Sequence, residues 1–264
     1  METNVIIILI CSGLVVGFIN TMAGGGTIIS LSVLMWLGLP INVANGTNRL
    51  AVLFQTMTSV GTFQQNHLID WKKSLLIAIP TVIGSVLGSF IAVKLNEEII
   101  RMAFVVIMII MLGFILIKPS LWLKGNASLL ALPVKKWNYP LFLVVGVYGG
   151  FMHVGVGYYL LASIVLGLGF DLMRANVLKN LLVMLYVPFS LIVFIINDQV
   201  MWKYGLIHAI GNVIGAFVAS RIAIKKGADV IRWVLVGVIV VLTADMAGLI
   251  DLKAAIGVLI GAAK

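Results

Sequence analysis

The stretch NTMAGGGTIISLSVLMWLGLPINVANGTNR, Asn20 to Arg49, sets helix breakers and polar groups inside sequence that is otherwise apolar enough for a lipid interior. Ala23, Gly24, Gly25, Gly26 and Thr27 interrupt one apolar run, a short apolar segment reaches Pro40, and Ala44, Asn45, Gly46, Thr47, Asn48 and Arg49 open the next. An echo, HVGVGYYLLASIVLGLGFDLMRANVLKN, runs from His153 to Asn180. A shift of 131 residues lays Gly24 on Gly155, Gly26 on Gly157, Gly38 on Gly169, Asn45 on Asn176, Ser59 on Ser190, Trp71 on Trp202 and Arg101 on Arg232, without a gap. Asn, Trp and Arg are scarce here, so their coincidence marks a duplication, and internal symmetry of this kind is a transporter signature.

Composition excludes a water-soluble fold. Of 264 residues, 62% are hydrophobic and 10% charged, with a mean hydropathy of +1.17, against about a quarter charged in soluble proteins. The chain is read as a polytopic membrane protein whose first partner is the lipid bilayer. Its net charge of +9 comes without a Lys/Arg run or an aromatic-basic motif, so no nucleic-acid partner is expected. Cys11 is the one cysteine, which excludes internal disulfides and Cys-based metal sites. Met1, Glu2, Thr3 and Asn4 lead straight into apolar sequence with no basic stretch, so the first segment reads as a retained helix.

A spanning helix needs about 20 apolar residues. Apolar runs predict segments at 5–23, 26–38, 48–65, 74–95 and 99–117, then at 139–154, 157–169, 177–196, 204–224 and 231–250. The second and seventh are too short to span and read as half-helices or re-entrant segments. The expected fold is an all-α polytopic membrane protein built from two pseudo-symmetric five-segment halves, each with one such short segment. Residues 1–117 form the first repeat, 118–138 a cytoplasmic linker, 139–250 the second repeat and 251–264 a C-terminal tail. With all ten segments crossing and the N-terminus outside, twelve of the eighteen Lys and Arg fall on the inner side, as cytoplasmic loops require. Five crossings per half make the repeat inverted; eight crossings in all would make it parallel.

Helix N-termini bind anions through free backbone N–H groups and a partial positive charge. Gly24, Gly25, Gly26 and Thr27 form one candidate start, and Gly155, Gly157 and Tyr158 the other, with Asn20 and His153 as neighbouring donors. Arg49 and Lys179 sit just inside long apolar segments, where a cation is costly unless it faces a partner or water. With Asn45, Thr47, Asn48, Asn176 and Asn180 beside them, they suggest a pseudo-symmetric anion site with one cation from each half. Snorkelling of both to opposite interfaces is the competing account. His153 titrates in the physiological range when unperturbed, and a purely hydrogen-bonded role is its alternative. No phosphate-binding loop, zinc-type His spacing or Gly-x-Ser-x-Gly elbow occurs, so no cofactor and no enzyme activity are expected.

In its glycine-rich turn at Gly24 to Gly26, its Ala44, Asn45, Gly46, Thr47, Asn48 opening, the Asp70 and Trp71 pair and the Gly84 and Gly88 helix, the chain resembles the sulfite exporter TauE/SafE family of membrane permeases over nearly its whole length. The second copy departs more, with Met152, His153 and Val154 before Gly155, and Leu178 and Lys179 where the first has Thr47 and Asn48. The resemblance implies export of sulfite, an organosulfonate or another small anion across the plasma membrane. An anion channel, a permease for an unrelated substrate and a non-transporting partner subunit remain alternatives, and a homodimer is among the expected assemblies.

Overall fold

The computed structural model describes residues 3–94 and 125–246. Among them are ten helices and no strand: α1 (Thr3–Met22), α2 (Thr27–Trp36), α3 (Ile41–Gln65), α4 (Trp71–Ala92), α5 (Ala127–Ala131), α6 (Asn138–Phe151), α7 (Val156–Leu168), α8 (Leu172–Ile196), α9 (Trp202–Lys226) and α10 (Ala228–Met246). The expected segment at 99–117, the first seven residues of the linker (118–124) and the tail lie outside the described residues. Four helices, α1, α4, α8 and α9, are long and apolar enough to cross a membrane. α3 equals the longest in length but carries Asn45, Asn48, Arg49 and Gln55.

Two boundaries differ from expectation in the same way. α3 begins at Ile41, not 48, and α8 at Leu172, not 177. Polarity at Asn45 to Arg49 and at Asp171 to Asn176 imitates a loop. In fact Pro40 ends the preceding connection, Asp171 accepts a hydrogen bond from the Arg174 backbone N–H as an N-cap, and Asn45, Thr47, Asn48, Arg49 and Asn176 are buried. Arg49 and Lys179 therefore lie about two turns, roughly 11 Å, inside their helices rather than at the mouths.

Backbone conformation repeats at the offset of 131. Positive φ occurs at Gly24 (92°) and Gly155 (69°), at Gly38 (92°) and Gly169 (79°), and at His67 (54°) and Asp198 (56°). Each of the last pair ends a long helix: Leu68 N donates to Phe63 O and Gln199 N to Phe194 O, the six-to-one bond of a Schellman end. Before them, Asn66 Nδ2 donates to Thr62 O, and Asn197 Nδ2 to Val193 O.

Packing exchanges partners between the two halves. α1 packs on α9 and α4 on α6, while α3 and α8 cross at the centre. The first two pairs run parallel. Gly211 and Gly215 lie against the Ile10 and Leu14 carbonyls, and Gly84 and Gly88 against those of Leu143 and Val147. α3 and α8 run antiparallel, since Gly46 near the start of α3 meets Phe194 near the end of α8, whereas Ser59 bonds Asn180 near its start. The spacing of four residues stacks the glycines on one face and lets backbones touch. A Cβ on Gly88 would stand 1.8 Å from the Val147 carbonyl oxygen. Gly88→Ala is accordingly expected to separate α4 from α6 and to destabilise the protein by about 2 kcal/mol, read as a lower unfolding midpoint in detergent.

Candidate functional site

Both glycine turns end at the centre of the molecule, where they touch. A Cβ on Gly24 would lie 2.4 Å from the Cα of Gly157, and one on Gly25 would overlap the Tyr158 hydroxyl. From this junction α2 and α7 start with Gly26 and Gly155 as N-caps, and no side chain caps either start. His153, one of three non-glycine residues with positive φ among the described residues, sits in the left-handed region at 60° just before the α7 turn.

The breaks also leave helix C-termini, whose last carbonyls lack a following turn. On α1, Ile19 O accepts from the backbone of Ala23 and Gly24. Asn20 O and Thr21 O accept from Lys179 Nζ at 2.9 and 3.0 Å, and Thr21 O accepts also from Asn180 Nδ2 at 3.1 Å. On α6, Gly149 O accepts from Arg49 Nη1 at 3.1 Å and Gly150 O from Arg49 Nη2 at 2.6 Å. Phe151 O accepts from Asn45 Nδ2 at 2.9 Å. Each half thus sends a cation from its third helix to the broken first helix of the other half. A positive group there also faces the negative end of a helix dipole. The Arg49 guanidinium lies 4.6 Å over the Phe194 ring, and Arg49 and Lys179 are 0% and 1% exposed, so neither reaches an interface by snorkelling.

A small cavity lies beside Lys179. Asn20, Gly24, His153, Gly157, Lys179 and Asn180 line it, joined by Gln55 and Thr56 of α3. It leaves about 10 Å³ for the centre of a water-sized molecule, room for about one water. Asn20 Nδ2 donates to Thr27 Oγ1 and Gln55 Oε1, at 3.4 and 3.3 Å. His153 Nδ1 is hydrogen-bonded to the Tyr186 hydroxyl at 2.9 Å.

Other residues singled out in the sequence lie elsewhere. Thr47 Oγ1 accepts from Met201 N and so ties α3 to the start of α9. Asn48 and Asn176 are fully buried with neither carboxamide atom hydrogen-bonded, as is the hydroxyl of Tyr158. Arg49 and Asn45 sit at the level of Gly150, with Ser89 and Ser190 bonded nearby. About 16 Å of α8 rise separates Ser190 from Lys179. One small anion does not bridge Arg49 and Lys179 in this conformation.

Gln55 and Thr56 are absent from the sequence reading. Their signal is the spacing of Asn48, Val52, Gln55, Thr56 and Ser59, which shares one helical face. A second cavity, about 280 Å³, opens where α3 ends and α4 and α8 begin; His67, Asp70, Lys73, Phe170, Arg174 and Leu178 line it. Every one of these residues falls on the side that the charge count makes cytoplasmic, and Leu178 directly precedes Lys179 in α8.

The sequence profile described as Sulfite exporter TauE/SafE matches residues 9–246. Among curated relatives, a probable membrane transporter protein of Haemophilus influenzae is 26% identical over 92% of this chain and 94% of its own length. The probable membrane transporter protein ORF9 of Sinorhizobium sp is 27% identical over 86% of this chain and 87% of its own. The probable membrane transporter protein YfcA of Escherichia coli (strain K12) is 26% identical over 87% and 85%. No solved structure matches. Matched from α1 to the end of α10, with relatives covered almost end to end, this multi-pass membrane chain belongs to the sulfite exporter TauE/SafE family.

Proposed function

We propose that the protein is a secondary transporter that exports a small sulfur-containing anion, sulfite or an organosulfonate, across the plasma membrane by alternating access of its two halves. The observation that carries the reading is the small cavity at the glycine junction, where Lys179 lies beside the uncapped start of α7. In this account Gly24, Gly157 and the α7 backbone meet the anion, Lys179 balances its charge, and Asn20, Gln55, Thr56 and Asn180 orient it. Space for about one water is too little for a sulfur oxyanion, so in this account helices must part to admit one. The antiparallel run of the equivalent helices α3 and α8 supports an inverted repeat, the arrangement that permits symmetric rocking about a central site. Outward movement of one negative charge is assisted by about 2.3 kcal/mol at an inside-negative potential of about 100 mV.

The test is flux through the purified protein in liposomes, with sulfite, sulfoacetate, sulfate and chloride in parallel. Saturable flux of one sulfur anion is expected. Lys179→Ala should abolish it, by at least about tenfold if the charge contributes 1.4 kcal/mol or more to substrate binding, while Gln55→Leu weakens apparent affinity with the maximal rate largely kept. Absence of saturable flux for every sulfur anion overturns the reading.

A further inference from the structure

In broken-helix transporters the interrupted C-terminal ends, with their unwound carbonyls, are where coupling Na⁺ or H⁺ is held. This chain has two such ends, and both are occupied by its own cations. The Lys179 ammonium takes two α1 carbonyls at 2.9 and 3.0 Å, and the Arg49 guanidinium takes two α6 carbonyls at 3.1 and 2.6 Å. All four acceptors are neutral backbone oxygens, and among the described residues neither cation is paired with a carboxylate. On the same two α1 residues, the side-chain oxygens Asn20 Oδ1 and Thr21 Oγ1 are buried without a hydrogen-bond partner. Asn20 and Thr21 are 5% and 0% exposed, so solvent does not satisfy them.

We propose that the broken ends of α1 and α6 are monovalent-cation sites whose occupants are built into the chain, Lys179 and Arg49, so that the protein binds no free Na⁺ or K⁺ at either. Backbone carbonyls with a hydroxyl and an amide oxygen are the donor set of a hard monovalent ion. A tethered ammonium fills the same role at no cost in binding entropy and does not exchange with solution. The consequence is a permanent charge at the helix end: the cation that elsewhere arrives and leaves with substrate is here fixed. Removing the Lys179 side chain should uncover the site, with the Asn20 and Thr21 carbonyls available to an ion from solution.

The experiment is thermal unfolding of the purified full chain in detergent, in choline, sodium, potassium or methylammonium chloride at equal ionic strength and without any sulfur anion. The wild-type midpoint should be the same in all four salts. Lys179→Ala should unfold at a lower temperature and be restored by several degrees, saturably, by methylammonium and by one of the two alkali cations, with choline inert because of its size. Arg49→Ala provides the independent arm, with guanidinium as the restoring ion. Should Lys179→Ala not be obtained folded in choline, methylammonium present from solubilisation onward should recover the monodisperse species. Saturable stabilisation of the wild type by Na⁺ or K⁺ that is unchanged in Lys179→Ala, or indifference of both variants to every cation, overturns the proposal. Because no anion is present, either result leaves the anion-export reading to its own flux test.

Discussion

Arg49→Ala is expected to be among the most damaging single substitutions in this protein, with a loss of about 4 kcal/mol in stability. Alanine would remove both guanidinium donors from the Gly149 and Gly150 carbonyls, leave Gly150 to the Ser89 hydroxyl, and open space beneath the Phe194 ring. Arg49→Lys separates charge from geometry. A single ammonium on a shorter stem retains the sign but cannot fork to two carbonyls and the Asn45 amide oxygen at once, so an intermediate loss is expected. Midpoints of unfolding in detergent for the three proteins should fall in the order wild type, Arg49→Lys, Arg49→Ala. Equal midpoints for wild type and Arg49→Ala would show that the guanidinium does not hold the α6 end.

A comparable loss is expected from one added methyl group at Gly24, and Gly38 supplies the control. Both glycines have φ of 92°, so an alanine at either carries the same backbone strain, about 1 to 2 kcal/mol. Around Gly38 nothing lies within 4 Å of the new methyl, and the strain is the whole effect. At Gly24 the methyl would stand 2.4 Å from the Gly157 Cα, which is backbone and cannot swing away. The halves must then separate where they meet, adding roughly 2 to 3 kcal/mol. Gly24→Ala should therefore cost the protein its monodisperse folded form or lower its midpoint well beyond that of Gly38→Ala. Similar midpoints for the two variants would mean that the glycine junction yields more readily than its close approach implies.

Much of this arrangement is visible in one dimension. Glycines clustered in apolar sequence mark the helix breaks, because few other residues permit a left-handed turn and a backbone contact together. The offset of 131 carries over into matched positive-φ residues and matched helix ends. What sequence conceals is the partner of each buried cation. Arg49 and Lys179 bind backbone carbonyls of the opposite half, and a carbonyl has no residue signature; the same cations read in sequence as waiting for an anion. Helix starts at Ile41 and Leu172 are hidden for a related reason: Asn45, Asn48 and Asn176 are polar enough to look like loop until the buried face they share is known. Gln55 and Thr56 escape notice because Val52, Leu53 and Phe54 make the local stretch apolar, although their helical face is that of Asn48 and Ser59.

Crosswise capping of the broken helices also bears on how the chain is made. The carbonyl of Thr21 is synthesised 158 residues before the lysine that satisfies it. At about 5 to 20 residues per second, α1 waits on the order of ten seconds or more with its lower end uncapped. During that interval the first half is inserted but unfinished, and it depends on water, lipid headgroups or an insertion factor to shelter those carbonyls. Neither half closes on itself, so two separately encoded halves should persist in cells only when produced together.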